Sequence, residues 1–156
     1  MLSWLAGLML RRSIRRVNEG DIGPMLSSYA DDAVLVFPGD SSWGGEHRGK
    51  NAIEAFLRRY ARVGIQFEAH QIIVSGWPWS ATIWVRFSDH AKAPDGTVVY
   101  ENRGVIYAKT RWGKIVLQED FEDTHKVAAF DEYLAAHEER ETGPAMTTGA
   151  SGAGRS

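Results

Sequence analysis

An α+β fold, with helices gathered on one face of an antiparallel sheet, is predicted by three features of the sequence. Helical periodicity dominates the first 63 residues, interrupted by one short apolar run. From residue 65 the pattern changes to four long β-type runs. The segments between those runs have hairpin chemistry, which makes the strands a meander with antiparallel neighbours. With 156 residues, 44% of them apolar or aromatic, the chain suffices for one domain with a substantial core.

Residues 1–19 read as a first helix ended by Gly20, with Trp4, Leu5, Leu8 and Ile14 facing the protein and Arg11, Arg12, Arg15 and Arg16 facing out. The apolar run over 1–10 is too short to span a bilayer. Its arginines follow the run instead of preceding it, unlike a secretory signal. The helix therefore reads as packed on the domain, in preference to a membrane-surface anchor. Asp21 caps a short second helix over 21–29, with Pro24 in its first turn. Residues 33–38 form a short apolar strand closed by Pro38, and 39–49 form a glycine-rich loop. A third helix follows over 50–63, with Ile53, Phe56, Leu57 and Tyr60 at helical spacing, and stops at Gly64.

The four β-type runs cover 65–76, 79–90, 97–111 and 114–123. They are separated by Trp77-Pro-Trp79, Pro94-Asp-Gly96 and Trp112-Gly113. A last helix spans 125–139, with Val127, Phe130 and Leu134 on one face and Asp123 or Thr124 as its cap. Residues 1–139 thus read as a single domain. The remainder, 140–156, is rich in Gly, Ser, Thr and Ala without apolar periodicity and reads as a disordered tail. Twisted strands wrapped around the helices leave a cavity between the two layers. The other face of the sheet, carrying Ile83, Val85 and Phe87 on one strand, is expected to be a homodimer interface, since such side chains are costly in water.

Composition removes several function classes. Eighteen basic against 20 acidic residues give a net charge of −2, without the basic face that nucleic-acid binding needs. The absence of cysteine excludes disulfides, a thiolate nucleophile and cysteine-built metal sites. His70, His90, His125 and His137 lack chelating spacing with acidic residues, so no metal is expected, and the glycine-rich loop lacks the strand–loop–helix pattern of a phosphate cradle. No cofactor is implied, and the cytoplasm is the default location.

The order helix–helix–short strand–helix–meander, with Asn18-Glu-Gly-Asp21, Tyr29-Ala-Asp-Asp-Ala-Val34, Arg48-Gly-Lys-Asn-Ala-Ile53, Phe56 and Gly113-Lys-Ile-Val116, resembles the nuclear transport factor 2-like superfamily across about residues 10–135. That cone-shaped fold is shared by ketosteroid isomerases, SnoaL-type cyclases and limonene-epoxide hydrolases. Phe37-Pro-Gly-Asp-Ser-Ser-Trp43, Ser75-Gly-Trp-Pro-Trp79 and Asn102-Arg-Gly-Val105 resemble bacterial SnoaL-like proteins of unassigned activity. The resemblance implies a fold and not an activity.

Against the ketosteroid isomerase pattern, Phe37 stands where the carboxylate base belongs and Ser13 where the tyrosine donor belongs, which excludes that mechanism. The limonene-epoxide hydrolase pattern has an Arg-x-Asp pair before a proline–glycine turn and a second aspartate on the final strand. Counting from Pro94-Asp-Gly96 places Arg86-Phe-Ser88 at the pair, and counting from Gly113 places Asp120 at the second aspartate. Ser88 thus replaces one of the two aspartates that activate water.

Trp84, Arg86 and Ser88 share one face of a strand, and the resemblance makes that face the cavity wall. Asp120, with Gln118 and Glu122, would face the same space. Two readings fit: Asp120 as general acid or base with Arg86 steadying developing charge and Ser88 donating a hydrogen bond, or a buried Arg86–Asp120 ion pair holding strands in register. Trp43 and His47 in the loop, and Asn102 on a central strand, are further candidates for contacts with a ligand. The expected function is binding of an apolar, oxygen-bearing small molecule of polyketide, terpenoid or steroid type, with or without acid–base chemistry. A protein–protein adaptor is the weaker alternative.

Overall fold

The computed structural model describes residues 2–141. The chain runs α1 (Leu2–Asn18), α2 (Gly23–Ser27), β1 (Tyr29–Phe37), β2 (Gly45–Arg48), α3 (Lys50–Arg62), β3 (Gln66–Trp77), β4 (Ser80–Lys92), β5 (Val98–Arg111), β6 (Lys114–Glu122) and α4 (Thr124–Glu141). All strands join one six-stranded sheet in the order β2-β1-β6-β5-β4-β3. The α+β architecture expected from the sequence is present, with three helices preceding the meander and one following it. The tail expected from residue 140 lies, beyond Glu141, outside the described residues.

The long hairpins form where turn chemistry predicts them. Trp112 and Gly113, both at positive φ (51° and 75°), make the two-residue connection between β5 and β6. Two left-handed residues match the twist of the flanking strands. Asp21 accepts a hydrogen bond from the Gly23 amide at 3.0 Å, tying down the entry to α2, which is shorter than the 21–29 expected. Tyr29 instead begins a strand. Its neighbour Ser28 accepts the Ile115 amide at 2.8 Å, so β1 pairs with β6 and makes the sheet mixed instead of wholly antiparallel. Part of the predicted loop is also a strand: β2 pairs antiparallel with β1, Leu35 facing His47. Aromatic Tyr29 and the apolar run behind it favour extended structure once a partner strand is present.

The core lies between the concave sheet face and the helices. Leu35 and Ile53 are completely buried, and Ile83, Val85 and Phe87 belong to the same cluster. The expectation that these three β4 residues form an outer dimer surface is therefore corrected. They point into the protein, and Trp84, Arg86 and Ser88 point away from it. Along α1, Val17 is buried while Trp4, Leu5 and Leu8 are exposed, so only the C-terminal half of that helix packs as predicted. At the other end of the sheet, α4 covers the core with Val127 and Phe130, the latter stacked on Tyr100 at 4.6 Å.

Candidate functional site

A cavity of about 100 Å³ lies between the sheet and α1–α3. Leu10, Ile14 and Val17 of α1 form one wall, and Phe56, Leu57 and Tyr60 of α3 form another. Ile83 and Val85 of β4 and Ile106 of β5 line the sheet side. The polar groups on this otherwise apolar lining are Tyr29, Tyr60, Gln118 and Asp120. Gln118 and Asp120 face the cavity by period-two alternation, and Ile115 joins them from the other side of an irregularity in the β5–β6 pairing.

These polar groups form an ordered relay. The Tyr29 hydroxyl donates to Gln118 Oε1 at 2.5 Å, and Gln118 Nε2 donates to Asp120 Oδ1 at 2.8 Å. Because the Tyr29 hydroxyl occupies the glutamine oxygen, the amide nitrogen is turned toward the carboxyl. Burial drives the Asp120 carboxyl up to about 7, against the Gln118 hydrogen bond that pulls it down, with nearby Asp89 adding to the rise. A group in that range populates both forms near neutral pH, so it can donate a proton or take one.

Two further carboxyls stand behind it. Asp89 on β4 faces Asn102 on β5, and Glu122 on β6 faces Gly104. Asp89 Oδ2 accepts a hydrogen bond from the Tyr60 hydroxyl at 3.3 Å, while its buried Oδ1 has no partner among the described residues. Desolvation raises Asp89 to about 7, opposed by the Tyr60 bond. Glu122 accepts from the Tyr100 hydroxyl and from Asn102 Nδ2, both at 2.9 Å. Burial first, then the charges of Asp89 and Asp120, raise it to about 8. Among the described residues no basic side chain bonds any of the three. Tyr60 bridges the two regions, since it lines the cavity and holds Asp89.

The residues predicted from sequence therefore divide. Asp120 and Gln118 reach the cavity. Arg86 and Ser88 do not, because β4 presents its odd positions inward. Arg86 is exposed on the outer face, and Ser88 shares a 2.7 Å hydrogen bond with His70 there. Trp84 packs against Tyr107 on the same outer face, ring centroids 4.7 Å apart and planes tilted by 49°. Neither the catalytic pair nor the structural ion pair of Arg86 with Asp120 forms.

Trp43 is a core residue beneath α3 and His47 a half-buried neighbour of it, and neither lines the cavity. Trp43 packs edge-on against Phe56 at 5.7 Å beneath the Arg59 guanidinium, and His47 Nε2 lies 2.9 Å from the Trp43 carbonyl oxygen. Asn102 is buried beside the cavity and not on its lining; its amide ties Glu122 to the Asp123 carbonyl at 3.0 Å. Asp89, missed from sequence, carries one available signal. It continues the apolar parity Ile83, Val85, Phe87, Ala91, a pattern that marks the buried face of a strand.

With this geometry established, comparison with known proteins fixes the family. The SnoaL-like domain matches residues 10–118, and the chain belongs to that family. None of the proteins of curated function matches the sequence. Bal32a, from a soil-derived mobile gene cassette, superposes with a TM-score of 0.70 at 19% identity, over 82% of this chain and 97% of that one. TerC, co-crystallised with polyporic acid, gives 0.64 at 23% identity over 81% and 98%. RV0760c of Mycobacterium tuberculosis, in complex with estradiol-17beta-hemisuccinate, also gives 0.64 at 23% identity, over 78% and 95%. These likenesses establish the nuclear transport factor 2-like fold.

Proposed function

We propose that this chain is a cytoplasmic, cofactor-free protein whose single domain over 1–139 binds an apolar, oxygen-bearing small molecule and performs acid–base chemistry on it with Asp120. The observation that carries the reading is a carboxyl desolvated on an apolar cavity wall, without a cation to hold it ionised. Its neutral form donates to a ligand oxygen, and its ionised form takes a proton from an adjacent carbon or hydroxyl. Gln118, fixed by Tyr29, aims the carboxyl, and Tyr60 adds a hydroxyl to the same wall. The polyporic acid of TerC and the estradiol-17beta-hemisuccinate of RV0760c support a polyketide-, terpenoid- or steroid-like class. A volume of about 100 Å³ is small beside the roughly 300–1,000 Å³ of most ligand sites, so a polycyclic ligand requires the cavity to widen.

A second reading, a binding module without turnover, draws support from the lining itself. Among the described residues it offers no cation to stabilise developing negative charge. Asp120→Asn separates the two. Carbon-detected NMR of the wild type is expected to follow a carboxyl titrating near 7 that vanishes in the variant. Turnover on a panel of hydrophobic ketones and epoxides is expected to fall by at least about 100-fold while ligand binding persists. A titration at or below about 4 would overturn the acid–base role. Absence of turnover in both proteins, with binding intact, would favour the binding module.

The homodimer is retained as part of this proposal on corrected residues. The exposed outer sheet face carries Ile73, Trp84 and Phe121 around Tyr107, with Arg86, Arg103 and Glu119 beside them. Both charge signs at one apolar patch suit a self-complementary two-fold contact.

A further inference from the structure

The outer face of α1 is divided along its length. Trp4 (71% exposed), Leu5, Leu8 and Met9 (64%) stand in solvent at its N-terminal half. Arg11, Arg12, Arg15 and Arg16 are exposed at its C-terminal half. At 100° per residue, Leu5, Leu8, Arg12 and Arg15 fall on a single stripe spanning about 15 Å. The opposite side of the helix carries Leu10, Ile14 and Val17, which are committed to the cavity wall. The exposed apolar side chains are therefore not a displaced part of the core.

Charge on this face is one-sided. The first acidic residue of the chain is Glu19, and it pairs with Arg16, which also binds Asp21 at 2.7 Å. The Arg11 guanidinium donates to the Ala69 carbonyl at 2.7 Å. Arg12 and Arg15 have no carboxylate partner among the described residues. A purely apolar protein groove would accept the leucines and leave these guanidiniums against hydrocarbon. A surface with an apolar layer beneath a layer of phosphates accepts both halves at once.

We propose that α1 docks this protein on an anionic lipid surface. Trp4, Leu5, Leu8 and Met9 enter the boundary between headgroups and acyl chains, and Arg12 and Arg15 lie among the phosphates. No helix among the described residues is long and apolar enough to cross a membrane, so α1 lies in the interface. The overall net charge of −2 makes the attraction local to this face and orients the body away from the bilayer. Docking does not depend on the cavity being a ligand site. If it is one, the helix that meets the lipid is also one wall of that site.

Vesicle co-sedimentation of the full chain tests the proposal. Binding is expected to phosphatidylcholine vesicles containing about 30% phosphatidylglycerol, falling at least about tenfold on phosphatidylcholine alone and again as salt is raised. Each arginine near such a surface contributes roughly a fivefold factor, so Arg12→Glu with Arg15→Glu is expected to weaken binding by at least about 25-fold. Leu8→Glu is expected to weaken it at least about tenfold. Both variants change exposed side chains, and circular dichroism checks that they fold. No binding to the anionic vesicles, or binding that neither variant alters, would overturn the proposal. It would equally be overturned if Leu8→Glu only converted an oligomer to a monomer in sedimentation velocity, because the apolar end would then belong to a second copy of the chain.

Discussion

At position 104 the lack of a side chain is a packing requirement. A Cβ there would stand 2.2 Å from the Phe121 carbonyl oxygen, 2.9 Å from Glu122 Cβ and 3.0 Å from a Phe87 ring carbon. The first of these is backbone and cannot rotate away. Gly104 thus lets β5 press against β6 where Glu122 and the Phe87 ring meet, and so helps bring the buried carboxyls together. Gly104→Ala is expected to destabilise the fold by about 1–3 kcal/mol, the usual range for overpacking. Urea unfolding measures this as a lowered midpoint at unchanged slope. Adding Phe87→Leu would leave most of the loss in place, since the closest clash is with the chain itself. A Gly104→Ala protein as stable as the wild type would show that the strands have room to part.

Among the elements, strand bounds and strand parity were unequally legible. Trp77-Pro-Trp79 and Trp112-Gly113 mark hairpin ends, so the limits of β3 to β6 follow from turn chemistry to within a few residues. Parity depends on a count, and a slip of one residue exchanges the two faces of a strand. Counting back from Pro94-Asp-Gly96 assigns Arg86 and Ser88 to the cavity, but a β-bulge beside Ala91 and the irregular turn beyond it leave that count without a fixed origin. The apolar alternation of β4 decides it physically, because Ile83, Val85 and Phe87 are more costly in water than Arg86. Asp120 and Gln118 were legible as two residues of one parity, although β6 carries its own irregularity, Thr110 facing Ile115 and Lys109 facing Leu117, so a count from Gly113 does not by itself reach them. Strand β2 and the start of β1 were not legible, as each extends only through pairing with a neighbour.

The sheet's corrected outer face has its own consequence. Trp84, 43% exposed and tilted against the Tyr107 ring, lies between Ile73 and Tyr107 in register. Trp84→Glu would set like charges together across a two-fold contact while leaving the inner face of β4 unaltered. Sedimentation velocity is expected to detect a dimer for the wild type and a monomer for the variant. A wild type that stays monomeric at high concentration would remove the dimer.

Across the whole molecule, buried carboxyls set an unusual dependence of stability on pH. The unfolded chain releases its aspartate and glutamate protons near pH 4. The folded chain keeps those of Asp89 and Asp120 until about 7 and that of Glu122 until about 8, chiefly because burial disfavours the charged forms. Between these limits the folded state binds more protons than the unfolded one, so stability falls as pH rises. Surface carboxyls act with the opposite sign at lower pH. Asp21 is held down by the Gly23 amide and Arg16, and Asp32 by Arg111, so their contribution disappears on acidification below about pH 4. The two trends place the maximum near pH 4–5, lower than for a protein whose buried acids are ion-paired. One carboxyl of this kind weakens folding by about 1.4 kcal/mol for each pH unit inside its window, and coupling among the three prevents simple addition. Thermal unfolding is therefore expected to give a higher Tm at pH 5 than at pH 8 in the wild type. Asp120→Asn, which preserves shape and can still accept the Gln118 hydrogen bond, should narrow that gap by raising the Tm at pH 8. A Tm that rises from pH 5 to pH 8, or a gap untouched by Asp120→Asn, would mean that the carboxyl ionises freely in the fold, and the basis for its acid–base role would go with it.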